Sequence, residues 1–352
     1  MMRLSHPHIL LAACLTFFLT GCLEFDISTE VHDDASVTRT VLVTGDSAEI
    51  FDSELPVSID DRWTRSLDTS AEGKFVMTAV RSFPDADAMN AALSDSAGVR
   101  LRITASLTKS FNWFFTRYSY PEPWHHYHPF GNIPLTEYLA PAELELAREH
   151  ILTDAPYKNP GDSLALEDAE RRFEEWRLRN MFESYYTAVL DGARTLNHPE
   201  LPPENIEAKK EALFEAGAHS LDQGRLEESA KSFAAVLQSD HVYDALAANT
   251  EAVDRFDARR RMVGNVWKHD YSARIKLPGI LQKTNAPSIE GNTAVWSDFI
   301  NFCYIGDVSM TADSRSVNWW MIILLAIIIV MLLLSLVATA LRRRKANLPR
   351  WQ

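Results

Sequence analysis

Phe25-Asp26-Ile27-Ser28-Thr29, followed by Ser36-Val37-Thr38-Arg39-Thr40-Val41-Leu42-Val43, is the stretch that decides the fold. Apolar and polar residues alternate through it and β-branched types dominate, so it reads as two strands with one buried face. Asp33 and Asp34 between them suit a hairpin turn. Outward from there, residues 74–81 (KFVMTAVR) form a further strand, and Asp85 caps a short helix over 86–93. Residues 94–98 break that helix. Residues 99–107 and 110–118 are expected as a strand pair, the second heavily aromatic.

The period changes near Pro134. Residues 135–152 are helical in pattern, and 163–196 contain no proline and one glycine near the end. There Phe173, Trp176, Met181, Tyr185 and Val189 recur at roughly helical spacing. Helices are further expected over 204–221, 226–237 and 242–260, and period-two character returns at 271–277, 293–297 and 308–312. Those late strands are too few to form a stable sheet alone. The expected class is therefore α+β: a small β-rich domain interrupted by a helical insertion, plus one C-terminal transmembrane helix. The divisions are 1–21 signal peptide, 22–133 and 263–318 the two parts of the β-rich domain, 134–262 the insertion, 319–341 the transmembrane helix and 342–352 a basic tail.

The two ends place the chain. Arg3 precedes an apolar run of eleven residues, 9–19, too short to cross a bilayer but suited to a signal peptide. The run ends at Leu19-Thr20-Gly21-Cys22, which resembles the lipobox of bacterial lipoproteins. That resemblance implies acylation of the Cys22 thiol with diacylglycerol and cleavage just before it. Cys14 would leave with the signal, so Cys303 would be the remaining free thiol and no intramolecular disulfide could form. At the other end, residues 319–341 hold no charged side chain over 23 positions. A helix of that length spans ~35 Å, enough to cross with some tilt. Trp319 and Trp320 mark one interface and Arg342, Arg343, Arg344 and Lys345 the other, which sets the tail in the cytoplasm and the body outside it.

Composition sets further bounds. The 352 residues are 46% hydrophobic and 24% charged, enough for a real core. There are 35 basic and 48 acidic residues, which disfavours a nucleic-acid binder. With the single basic residue of 1–21 and the five of 342–352 set aside, the remainder carries about −19, so the body is expected to stand off anionic headgroups.

Two resemblances refine this. The lipobox, the hairpin, the strand–short helix–strand through Ser94-Asp95-Ser96-Ala97-Gly98-Val99, then Leu277-Pro278-Gly279, Thr284-Asn285-Ala286, Val295-Trp296 and Met310-Thr311-Ala312 before the terminal helix, together resemble the LppM-type membrane lipoproteins. The likeness covers residues 15–110 and 270–341. It implies a small α+β fold and a role in the cell envelope with lipid-like ligands; it carries over no catalytic residue, and 134–262 departs from the pattern. Within that segment Gly217, Gly224, Leu226, Glu227-Glu228-Ser229 and Phe233 resemble one tetratricopeptide hairpin. Ser229 would let two helices approach closely, with Phe233 filling the groove. Without a second copy at 34-residue spacing, a single helical hairpin is expected.

Trp124-His125-His126-Tyr127-His128 holds a histidine run. On an extended segment His126 and His128 point the same way and offer two imidazoles to Zn²⁺ or Cu²⁺. Pro121, Pro123 and Pro129 argue for a surface loop with incidental histidines instead, and no H-E-x-x-H helix is present. Residues 111–120 hold six aromatics in ten, Trp113 and Phe115 among them. They are either strand core or an apolar, lipid-facing binding edge. Glu170, Glu174 and Glu175 alternate with Arg171, Arg172 and Arg177, which reads as a solvated helix face. No G-x-S-x-G elbow, P-loop or G-x-G-x-x-G occurs.

The expectation is a bacterial inner-membrane lipoprotein, not an enzyme and without a cofactor, acting as an extracytoplasmic binding or scaffolding module. Its partners would be the membrane itself and an envelope protein or lipid, not nucleic acid. A lipid-binding or lipid-transfer module is the alternative, and a metal-dependent enzyme at His126 and His128 a third.

Overall fold

The computed structural model describes residues 23–46, 50, 55, 57–94, 98–146 and 160–346. Cys22 and the segment before it lie outside the described residues, as do 147–159 and 347–352.

The alternation that opens the chain builds β1 (Glu24–Val31) and β2 (Val37–Gly45). Their inward positions are Phe25, Ile27, Thr29 and Val31 on one strand and Val37, Arg39, Val41 and Val43 on the other. The Asp34 carboxylate closes the turn by accepting from the Ser36 N–H at 2.9 Å. With β3 (Thr64–Thr69), β4 (Phe75–Phe83), β7 (Asp270–Lys276), β9 (Ser288–Glu290) and β10 (Thr293–Ser297) they form a seven-stranded sheet, ordered β3-β4-β2-β1-β7-β10-β9. A second sheet of β5 (Thr108–Asn112), β6 (Phe115–Trp124), β8 (Ile280–Thr284) and β11 (Val308–Val317) is ordered β5-β6-β11-β8. The sheets face one another: Phe25, Val41, Tyr118, Tyr120, Trp124, Met310 and Ala312 share one buried cluster.

The mixed α+β class is as expected, and its closure is a parallel pair. β1 and β7 run side by side from Glu24↔Asp270 to Glu30↔Lys276, although more than two hundred residues separate them in sequence. A parallel pair requires a long crossover, and here it contains the helices. These are α2 (Pro160–Leu196), α3 (Pro203–Ala208), α4 (Lys210–Asp222), α5 (Leu226–Leu237), α6 (His241–Ala248) and α7 (Thr250–Lys268), after the short α1 (Ala86–Leu93). Asp85 caps α1, its carboxylate accepting from the Ala88 N–H at 2.7 Å. In the α4–α5 hairpin Ser229 is buried with its hydroxyl donating to the Gly217 carbonyl at 3.3 Å, and Phe233 fills the space over Gly217, as the sequence suggested. Phe130, from the loop after β6, packs with its ring tilted 39° at 5.7 Å from Phe256 of α7, so helices and sheets share one core.

Three local expectations are corrected. Residues 110–118 are not one strand: the chain turns at Trp113 and Phe114, and Asn112 pairs with Phe115. Residues 99–107 do not form a regular strand, though Ile103 bridges to Trp124 and the Thr104 and Ser106 N–H groups donate to the Pro123 and Pro121 carbonyls. The reason lies in β6: prolines at 121 and 123 have no N–H to return, so the ladder stays one-sided. The helices expected over 204–221 and 242–260 are each broken in two, at Lys209 and at Asn249.

Between the sheets lies one charged pair. Arg39 and Glu122 are fully buried, with Arg39 Nη1 2.8 and 2.7 Å from the two carboxylate oxygens. Tyr120 Oη and Trp124 Nε1 also donate to Glu122, at 2.9 and 3.0 Å, and Arg39 Nη1 donates to Thr29 Oγ1 at 2.5 Å. Arg39 Nε and Nη2 find no acceptor. Burial, then the Glu122 charge, holds the Tyr120 phenol well above its ordinary pKa.

Candidate functional site

The aromatic run of residues 111–120 is split by the strand register. Tyr118 and Tyr120 point inward and are buried, while Phe111, Trp113 and Phe114 stand out at the tip of the β5–β6 hairpin. Trp113 is 66% exposed and holds φ 48°, in the left-handed region. A bulky residue there costs on the order of 1–2 kcal/mol relative to a relaxed backbone, and such strain clusters at functional positions.

β11 delivers the chain to the same place. It pairs with β6 from Val308↔Trp124 to Val317↔Phe115, so both strands end level. One residue later Asn318 ties the ends together. Its N–H donates to the Phe114 carbonyl and its side-chain amide to the Trp113 carbonyl, both at 2.8 Å, while its Oδ1 accepts from Thr116 Oγ1 at 2.8 Å. The last helix, α8 (Trp319–Ala346), starts there. Its stretch Trp319–Arg342 is 24 residues long and almost wholly unburied, long and apolar enough to cross a membrane. Trp319 and Trp320 are exposed at its mouth, and the Phe111 ring stacks on Trp320 at 5.8 Å, 17° from parallel. Five aromatic rings thus gather at one level, where a membrane–water interface would fall. Trp favours that level because its ring is apolar and its N–H is not.

Behind the tip, the outer face of the second sheet is basic. Arg117 and Arg315 are directly paired across β6 and β11, two residues from the end of the ladder, which is about 7 Å. Neither has a carboxylate partner among the described residues. With Lys283 and Asp313 they line an open groove of about 420 Å³, together with Thr108, Ser110, Ser119 and Gln282. The Arg315 guanidinium sits 4.4 Å over the Phe115 ring, so Phe115 lies under the groove rather than in the inter-sheet core. Like charges directly opposite destabilise a sheet, and the one carboxylate among the residues that line the groove, Asp313, is paired across the strands with Lys283.

The histidine run lies at the far end of β6. His126 and His128 come together with ring centroids 5.6 Å apart. His126 Nε2 is engaged by the Tyr304 carbonyl at 2.9 Å, and the His128 ring packs 5.3 Å from Trp176. Burial, then the neighbouring His126, lowers the His128 pKa. His125 turns away to bond Thr104 Oγ1 at 2.8 Å, and among the described residues the run does not assemble three donors. Cys303 is buried as well, and burial pushes its thiol up to about 12. Glu170 and Glu175 lie along an exposed face, while Arg177 leaves that face to bridge Glu174 at 2.8 Å and Asp222 at 2.6 Å.

Fold and site together define a two-sheet α+β body seated at the mouth of an apolar helix. No protein-family model matches the chain, and no curated protein matches it. Among solved structures, the chain is similar to the NMR structure of the folded domain of Mycobacterium tuberculosis LppM, at 10% identity, over 86% of this chain and 94% of that one, with a TM-score of 0.28.

Proposed function

We propose that this chain is a membrane-anchored, non-catalytic binding module of the bacterial envelope that works at the lipid–water interface. It is held by the helix at 319–341 and by an acyl group on Cys22, with its body outside the cytoplasmic membrane and its basic tail inside. The observation that carries this is the Asn318 clamp, which fixes the aromatic hairpin tip level with Trp319 and Trp320. The net charge near −19 argues for stand-off only as an average. Fields in ~0.15 M salt fade within ~8 Å, so Arg117 and Arg315, two residues from the end of the ladder, decide the local interaction, while Lys283 faces Asp313 farther back. The tip and groove then hold an anionic headgroup, while the helical layer is left to face protein partners.

Against a lipid carrier stands the filled space between the sheets, where Phe25, Tyr120, Trp124, Tyr271 and Phe299 are fully buried. The test is native mass spectrometry of the full chain released from nanodiscs of phosphatidylglycerol and phosphatidylethanolamine. Retained phosphatidylglycerol on the wild type, lost in Arg117→Ser/Arg315→Ser, is expected. Equal retention by both proteins, or by neither, would contradict the reading.

A further inference from the structure

Far from the membrane end, two histidines separated by more than forty residues of sequence meet on the helical layer. His198 and Glu200 lie in the link from α2 to α3, and His241 is the first residue of α6. A ring nitrogen from each histidine and a carboxylate oxygen of Glu200 all lie within 4.8 Å of one another. His241 Nε2 is 3.4 Å from Glu200 Oε2, and the two imidazole centroids are 3.6 Å apart. Tetrahedral zinc with donors at about 2.0–2.1 Å sets neighbouring donor atoms about 3.3–3.4 Å apart, so a small inward movement closes the set.

The surroundings hold these donors in place. Asn197 ends α2 in the left-handed region (φ 48°), Leu201 is fully buried with its N–H on the His198 carbonyl at 3.0 Å, and prolines 199 and 202 stiffen the link. His241 stands on a helix whose Val242 and Ala245 are fully buried, and the Ala245 backbone rests directly on Gly192 of α2. Both halves of the cluster are thus fixed to one packed helix–helix contact.

His241 Nδ1 is 2.7 Å from Asp244 Oδ2. A carboxylate on one ring nitrogen places the proton there and turns the other nitrogen outward as a lone pair, the outer-shell arrangement that metal-binding histidines use. His198 Nδ1 accepts the Glu200 N–H at 3.2 Å, at the long end of the range, which orients the ring without claiming it strongly. Glu200 is largely exposed, so a fourth position opens to solvent.

We propose that His198, Glu200 and His241 bind one divalent transition-metal ion, with Asp244 orienting His241. Two imidazoles and a carboxylate suit zinc and its neighbours better than calcium or magnesium, which prefer all-oxygen shells. The inference is independent of the membrane reading, because no residue is shared.

The test is calorimetric titration of Zn²⁺ into full-length protein in detergent, stripped of metal with EDTA. One ion per chain is expected for the wild type. His241→Ala should weaken binding by more than tenfold, Asp244→Asn should weaken it ~10–100-fold, and His126→Ala/His128→Ala should bind as the wild type does. If His241→Ala fails to fold, Glu200→Gln at an exposed side chain puts the same question. Wild-type protein that binds no Zn²⁺, binding that survives both His241→Ala and Glu200→Gln, or binding abolished by the His126/His128 pair would overturn the proposal.

Discussion

Replacing Glu122 by glutamine would leave the Arg39 guanidinium in the inter-sheet core facing a neutral acceptor. Breaking one half of a buried pair costs about 3–5 kcal/mol, because the survivor stays desolvated, whereas exchanging both halves for apolar groups is often neutral or stabilising. Here the pair starts under-satisfied, with Arg39 Nε and Nη2 unbonded, which tilts the balance further toward the apolar exchange. Glu122→Gln should therefore lower the urea midpoint sharply, and Arg39→Met/Glu122→Leu should recover only part of the loss, because Tyr120 Oη and Trp124 Nε1 are left without their acceptor. A single variant as stable as the wild type would show that the network contributes little. The sequence carries half of this: Arg39 occupies an inward position between Val37 and Val41, a visible break in the apolar face. Its partner was not legible, since Glu122 sits between two prolines that read as a loop and becomes strand only through pairing with Ser309 to Thr311. His198 and His241 were equally hidden, because no spacing rule joins positions on separate helical links.

Helix α2 meets α6 where Gly192 has no side chain, and a Cβ there would fall on the Ala245 carbonyl. Glycine inside a helix ordinarily costs about 1 kcal/mol relative to alanine, so Gly→Ala stabilises wherever space is free. At Gly264 on α7 nothing lies within 4 Å of such a Cβ. Gly264→Ala should accordingly raise the melting temperature, with a gain of ~0.4–1 kcal/mol. Gly192→Ala should lower it, with a loss of ~1–3 kcal/mol from overpacking. Thermal melts of the two variants check this; a rise for both would mean that the α2–α6 contact is looser than described. Elements set by local signals, such as β1, β2, α1 with its Asp85 cap and the α4–α5 hairpin, were readable from sequence. The turn at Trp113 was not, because aromatic character continues across it and no glycine or asparagine occupies the left-handed position. Which rings face outward is fixed by pairing with β11, about two hundred residues downstream.

For the whole molecule, the parallel β1–β7 pair closes the first sheet around the helical crossover, and β11 then runs through the second sheet into α8. A strand leads into the apolar helix with only Asn318 between, so a helix placed in a bilayer would leave the body little freedom to drift from it. Under the proposed reading, the acidic average and the aromatic, basic end would divide the surface into a part that faces the envelope and a part that faces lipid. That arrangement is what the interfacial module requires, and it can be read as a depth. In Phe114→Cys of the processed chain, with Cys14 cleaved off and Cys22 acylated as proposed, the new thiol accepts a nitroxide while the buried Cys303 does not compete. Power-saturation electron paramagnetic resonance of the labelled processed chain in nanodiscs should place position 114 at headgroup depth, level with a label on Trp319→Cys. A label at 114 as accessible to aqueous relaxant as one on the α4–α5 hairpin would contradict the account.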